Sequence, residues 1–407
     1  MRGWTILVTD AGRGSAVAII RSLGRRGWRV IAGASDPLSP GFRSRYVAER
    51  IVYPPPAVSP GGFVEAILEA VKRFGIDLII PVADAAILPL AGERDRIEAL
   101  CKIAGPDSHA MSVVMDKGRT LELAAQLGVP VPRSAVAAST EEAIAAARTV
   151  GWPVVLKPRA SSLYPNRNKV EAFHVSFASN ETELEAEMRS LEGRSEVLIQ
   201  EYCPGVGEGV GLLMDRGRPL AAFQHRRIHE VPVTGGASAL RESVRLDPTL
   251  YSYSVKLLGA LEWTGLAMVE FKVGERGPKL MEVNGRVWGS LPLAVMSGVD
   301  FPGRLVELFL GASSEPGPEP QLDYRVGVRA RNLAMDLIWI GSVLRGRPRY
   351  GFLGMPRRSE AMTALLGLLA PGCRSDMFAI SDPGPALAEI PKIAGKLWRK
   401  AWPVAAA

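Results

Sequence analysis

Two apolar runs near residue 275, LAMVEFKV and KLMEVN, constrain this chain more than any other stretch. Each alternates with a period of two, and each carries one glutamate on its polar side, Glu270 and Glu282. GERGP between them reads as a turn, because Gly and Pro supply the backbone geometry that reverses a strand. With Gly274 to Pro278 as the loop, Val273 faces Lys279, and the register runs back to set Glu270 directly opposite Glu282. Lys272 and Asn284 share that face, while Val269, Phe271, Val273, Met281 and Val283 fill the other. Directly paired residues hold their Cβ atoms about 4.5–5.5 Å apart, and like charges there repel. A half-buried carboxylate pair therefore needs a proton or a cation. Two hard oxygen donors beside an amide suit Mg²⁺, which keeps room for water and phosphate oxygens. The same pattern fits a salt-bridged solvent face, with Glu270 on Lys279 and Glu282 on Lys272. A slip of one residue in the loop dissolves the carboxylate pairing.

The remainder reads as an α/β chain. WTILVT (4–9) is a buried strand, DAGRGS a glycine turn, AVAIIRSLGRRG a helix and WRVIAGASD a second strand, which makes a β-turn-α-β unit. FVEAILEAVKRFG and IDLIIPVAD add a helix and a strand, so residues 1–112 read as a parallel sheet with helices. TLELAAQLGVPVP is a helix stopped by Gly128 and Pro130. TEEAIAAARTVG is a helix capped by Ser139 or Thr140, and NETELEAEMRSL one opened by Asn180. WPVVLKPR and EVLIQEYC are strands, PGVGEGVGLLMDRGRPLAAFQHRRI a hairpin, and LYSYSVKLLGAL a helix. SSEPGPEP (313–320) has the composition of a linker. The expected divisions are 1–112, 113–318 with a smaller subdomain at 133–200, and a basic, helical extension at 319–407.

A chain of 407 residues holds two or three domains. Its net charge of +7 favours anionic partners. No extended Lys/Arg block is interleaved with aromatics, so nucleic acid is not expected. Cys101, Cys203 and Cys373 are far apart and form no CxxC, which fits a reducing, cytoplasmic compartment. The N-terminus lacks the long apolar core of a signal peptide. LIWIGSVL and ALLGLLA are too short to span a membrane, although the basic C-terminal region suits peripheral contact with one.

Four segments, in order and at similar separations, resemble the ATP-grasp superfamily over roughly residues 1–312. They are MDKGRT with Lys117, GWPVVLKPR with Lys157, VLIQEYCPG, and MVEFK…KLMEVNGR. The resemblance is to its carboxylate–amine ligase branch, alongside biotin carboxylase and carbamoyl phosphate synthetase. It implies a mixed α/β and α+β fold, in which a Rossmann-like N-terminal domain precedes the ATP-grasp domain and its lid, here followed by a C-terminal extension. It implies ATP as cofactor with Mg²⁺, or Mn²⁺ in its place, and small-molecule carboxylate and amine substrates. Lys117 and Lys157 would contact phosphates as point charges. Gln200, Glu201 and Tyr202 would meet adenine, with Glu201 accepting from its amino group, and Glu208 would face the ribose. Glu270, Glu282 and Asn284 would bind the metal. Arg286, with Lys272 and Arg227, would serve the transferring phosphoryl or acyl phosphate. Arg226 and Arg227 are adjacent, so on a strand they point to opposite faces, and Arg227 is the one assigned to the site. His225 and His229 have no third ligand at a zinc spacing. The implied activity is activation of a carboxylate as an acyl phosphate with release of ADP, then attack by an amine, in a chain suited to homo-oligomers.

Two departures stand out. PRASSLYPNRNKVEAF, after Lys157, has no glycine where many members fold backbone amides over the phosphates, so Ser161, Ser162, Arg159 or Arg167 would replace those contacts. Gly285 stands where many members have proline. A competing signal lies at the N-terminus: VTDAGRGSAVA, with Asp36 ending the second strand, approaches a dinucleotide fingerprint. Val17 occupies the third glycine position, so Gly12 and Gly14 read as turn glycines near a substrate pocket. An NAD-binding oxidoreductase and a non-catalytic nucleotide-binding scaffold remain the alternatives.

Overall fold

The computed structural model describes residues 3–159, 162–166, 169–172, 175–189, 191, 193, 196–311, 319–346, 350–368 and 372–401. Ser161 and Arg167 lie outside the described residues, as do residues 313–318 of the expected linker.

The N-terminal sheet is parallel, in the order β3-β2-β1-β4-β5. Its strands are β1 (Thr5–Val8), β2 (Arg29–Ala34), β3 (Val47–Val52), β4 (Leu78–Ile80) and β5 (Lys102–Ile103). β1 and β4 are buried throughout, as strands covered on both faces must be. Helix α1 (Gly14–Arg25) follows β1 and completes the expected β-turn-α-β unit.

Helix α2 (Lys117–Gln126) starts where the Asp116 side chain accepts a hydrogen bond from the Arg119 amide, which places Lys117 in its first turn. A second sheet, antiparallel in the order β10-β7-β11-β6, comprises β6 (Ser134–Ala137), β7 (Val154–Pro158), β10 (Ser176–Ala178) and β11 (Val197–Glu201). Between β7 and β10, β8 (Ser162–Asn166) and β9 (Lys169–Ala172) pair with each other. Ser139, rather than Thr140, caps the Thr140–Val150 helix, and Asn180 caps Glu181–Met188.

The third sheet has seven strands in the order β16-β15-β12-β13-β14-β17-β18. They are β12 (Val206–Asp215), β13 (Arg218–Val231), β14 (Ala237–Ser243), β15 (Gly265–Gly274), β16 (Gly277–Asn284), β17 (Arg329–Arg331) and β18 (Cys373–Ser375). Two of its strands thus come from the stretch read in the sequence as a helical extension. Helices α3 (Leu333–Arg345) and α4 (Gly384–Ala401) follow them.

The β15–β16 turn is tighter than the sequence suggested. Gly274 pairs with Gly277, which adopts φ +84°, so Val273 faces Pro278 and Lys272 faces Lys279. A bulge between the partners of Glu270 and Phe271 then inserts Met281, and the two offsets cancel: Glu270 still faces Glu282. The bulge also turns Met281 into the cleft instead of the core face expected for it.

The C-terminal region is fastened to the N-terminal domain by a buried carboxylate. Asp382, 1% exposed, accepts from Arg21 Nε (2.9 Å), Ser44 Oγ (2.8 Å) and the Arg45 amide (2.8 Å). Arg21 Nη2 also donates to the Met377 and Asp382 carbonyls at 2.6 and 2.7 Å. Removing one partner of a buried pair leaves the other charge uncompensated and costs about 3–5 kcal/mol. Asp382→Ala should lower the unfolding free energy by about that amount in chemical denaturation; a loss below about 1 kcal/mol, the level of an exposed pair, would contradict the clamp.

Candidate active site

A cleft of about 800 Å³ lies between the second and third sheets and runs on to the N-terminus of α1. Its floor exists because β12 carries glycine at every other position on that face. A Cβ at Gly207 would come 3.0 Å from Arg227 Cδ, at Gly209 2.5 Å from the His225 ring, and at Gly211 2.4 Å from the Trp288 ring. The bare strip lets side chains of the flanking strands lie over β12. Residues on the strip's other face pack the core, as Val210 and Leu212 do.

Glu270 and Glu282 are half-buried, opposed across β15 and β16, and joined by Asn284, whose Nδ2 donates to Glu270 Oε1 (2.9 Å) and Glu282 Oε1 (3.3 Å). Burial pushes the Glu270 carboxyl up; Arg227, paired with it, opposes this, and Glu282 adds to it. Burial works against ionisation of Glu282 too, but Lys117, Lys157, Arg227 and Arg286 outweigh it and hold that carboxyl below its usual range. Burial lowers both lysines, and Glu282 is the largest opposing influence on each. The cluster is therefore two acids set among four bases, with positive charge in excess. Among the described residues no three His, Cys, Asp or Glu side chains converge. Metal-holding capacity rests on two carboxylates and one amide, a hard-oxygen set that fits Mg²⁺.

The remaining expected residues divide. Lys157 Nζ donates to Gln200 Oε1 (2.8 Å), and both line the cleft with Tyr202. Gln200 Nε2 is buried with no hydrogen-bond partner among the described residues. Glu201 differs from expectation: its carboxylate is taken by Lys279 and by Arg133 Nε (2.8 Å), so its oxygens tie the two sheets together. Glu208 also differs. It faces Arg226 across the ladder, one residue out of phase with the glycine strip, and bonds Gln224 Nε2 (2.5 Å) and Arg226 Nε (3.4 Å) on the sheet's other face. Arg227 enters the cleft and Arg226 lies on the sheet's other face.

Lys272 lies on Glu230 (3.2 Å) and Lys279 on Glu201, so the salt-bridged solvent face is not formed. Arg286 Nε donates to both oxygens of Asp84 at 2.8 Å, which links the end of β16 to the N-terminal domain. Arg159 is held by Asp116 (3.0 Å) and Glu196 (2.6 Å) rather than directed to a phosphate site. Asp84 and Glu230 gave no sequence signal, because each is defined only by a partner elsewhere in the chain. His225 bonds Ser290 Oγ (3.1 Å) and His229 faces Asp336 (2.6 Å), so the two histidines share no ligand.

The dinucleotide alternative fails on geometry. Asp36, the residue placed for a ribose, pairs with Lys392 of α4. Gly14 is packed against Asp376, whose Cβ would lie 2.8 Å from an added Cβ. The C-terminal region thus packs against Gly14 and pairs with Asp36, although Gly12 to Ser15 still line the cleft.

A family model described as ATP-grasp in the biosynthetic pathway with Ter operon matches residues 194–331. The carboxylate strands β15 and β16 lie within that match. In fold the chain is similar to ATP-grasp proteins. The chain is 32% identical over 201 residues to a formate-dependent phosphoribosylglycinamide formyltransferase from Synechococcus, covering 49% of this chain and 47% of the relative. It is 28% identical over 226 residues to a carbamoyl phosphate synthase large chain from Thermomicrobium roseum, covering 52% and 20%. In structure it matches a biotin carboxylase complex from Campylobacter jejuni with a TM-score of 0.62 at 19% identity, over 80% of this chain and 74% of that one. The matched parts span less than half the length of either curated relative. No helix among the described residues is long and apolar enough to cross a membrane.

Burial raises the Glu201 carboxyl, but hydrogen bonds from Lys279 and Arg133 outweigh that and bring it from 4.5 down to about 2. A carboxyl lowered by folding stabilises the fold above its unfolded value, and that contribution is lost as pH falls through the folded value. Wild type should exceed Glu201→Gln in stability at neutral pH, with the gap closing between about pH 4.5 and about pH 2. A gap that does not change with pH, measured by denaturant midpoints, would contradict this.

Proposed function

We propose that this protein is an ATP-dependent ligase that activates a substrate carboxylate as an acyl phosphate, releasing ADP, for attack by an amine. The observation that carries the reading is the half-buried, opposed pair Glu270 and Glu282 with four cations around it at an open cleft. The relative named for formate and phosphoribosylglycinamide supports it, since those words describe a carboxylate and an amine-bearing acceptor.

Lys117 and Lys157 hold the polyphosphate, and Gln200 Nε2 offers the nucleotide an otherwise unmet donor. Tyr202 borders the base. Glu270, Glu282 and the Asn284 amide would hold Mg²⁺, which would supply neutralisation of phosphate charge. A carboxylate oxygen of the substrate attacks the terminal phosphorus; the bond to the bridging oxygen breaks and ADP leaves. The amine then attacks the acyl carbon, and inorganic phosphate departs with the bonding electrons. Arg286 and Arg227 stabilise the charge on the transferring group, so the protein's contribution is positioning and electrostatics. Asp84 and Glu230 act as positioning residues, holding Arg286 and the Arg227–Lys272 pair in place.

Glu282→Gln should reduce ADP release with Mg·ATP, an acid and an amine by at least about a hundredfold, without lowering the unfolding midpoint to match. EDTA should abolish release in the wild type, and Mg²⁺ should restore it. Retained turnover in the variant would reject the role of Glu282, and AMP in place of ADP would reject the acyl phosphate.

A further inference from the structure

The cleft does not end at the carboxylates. Beyond Asn284 the cleft is lined by Trp288 and Ser290, both covered, and by Arg13, Asn332 and Asp376. Helix α3 of the C-terminal region lines the same cleft. Met335 and Ile338, three residues apart and so on one helix face, line the cleft and are half-buried.

The rotation of α3 is fixed by buried contacts on its other side. Asp336, fully buried, lies between His229 Nδ1 (2.6 Å) and Arg331 Nη1 (3.1 Å). Trp339 stacks on the His229 ring with centroids 3.6 Å apart. Ile340 and Val343 join Trp339 in a core cluster with Ala361. Asn332 caps the helix by accepting from the Met335 amide. Met335 and Ile338 are thus held toward the cleft by a built framework, not left there by a loose helix end.

We propose that the acid activated here carries an apolar body, and that Met335 and Ile338 form the wall that selects it. This rests on the ligase reading. The carboxylate must reach the terminal phosphate beside Glu282, and the nucleotide fills the cleft on the β7–β11 side. The rest of the acid therefore extends the other way, along Met335 and Ile338 of α3. Each methylene gained in such a pocket changes selection about 10–200-fold. Arg13 also lines this cleft, so a dicarboxylic acid is the competing probe.

Hydroxylamine serves as nucleophile, because it converts any acyl phosphate to a hydroxamate with loss of phosphate and makes the natural amine unnecessary. Acetate, butyrate, hexanoate and octanoate, with glutarate as the polar competitor, are supplied with Mg·ATP. The hydroxamate rate at limiting acid should rise at least about tenfold from acetate to hexanoate and favour hexanoate over glutarate. Ile338→Asp should remove that preference, and Met335→Phe should shift it to shorter acids, with the Mg·ATP-induced thermal shift unchanged in both. A flat chain-length series, a preference for glutarate, no turnover of any acid, or variants with wild-type selectivity would overturn the apolar wall. Absence of any thermal shift with Mg·ATP in the wild type would overturn the ligase reading itself.

Discussion

Two carboxylates facing each other across a pair of strands are an expensive arrangement, and the rest of this site is organised to sustain it. Opposed like charges in a buried sheet repel, and burial alone drives such groups to the neutral form. Here Lys117, Lys157, Arg227 and Arg286 reach Glu282 from four different parts of the chain and keep it below the usual carboxylate range. Glu270 is pushed the other way. The pair thus has unlike protonation tendencies imposed on like groups, an environment that a divalent cation would equalise.

Holding those cations in place requires space and leverage. The space comes from the glycines of β12, where any side chain would collide with Arg227, His225 or Trp288. The leverage comes from distant acids: Asp84 on Arg286, and Glu230 on Arg227 and Lys272. The C-terminal region takes part as well. It adds two strands to the sheet that bears the carboxylates, clamps Asp382 into the N-terminal domain and sets Lys392 on Asp36. A stretch that looks like an appendage in the sequence is built into two of the three sheet layers' surroundings and lines the cleft.

The carboxylate pair was legible because burial of one face specifies register, and the alternation of LAMVEFKV and KLMEVN is unambiguous. Even so, the expected loop was too long, and Glu270 meets Glu282 only because the bulge at Met281 restores the phase. Glu208 was misassigned for a related reason. In VGEGVG the polar residue draws the eye, but the cleft face is the glycine face, recognisable only once the neighbours that would collide there are known. Glu201 was read as a nucleotide ligand because Lys279, 78 residues away, cannot be paired with it from spacing. β17 and β18 have three residues each, too short for a periodic signal, and their pairing is set by tertiary contact.

The central claim concerns where one ion sits. The most direct measurement is an anomalous-scattering map of crystals grown with Mn²⁺ and a non-hydrolysable ATP analogue. A peak bridging the carboxylates of Glu270 and Glu282, next to the analogue's terminal phosphates, is the result this account predicts. A nucleotide bound in the cleft with its manganese away from both side chains, or seated instead over Gly12 and Gly14, would contradict it.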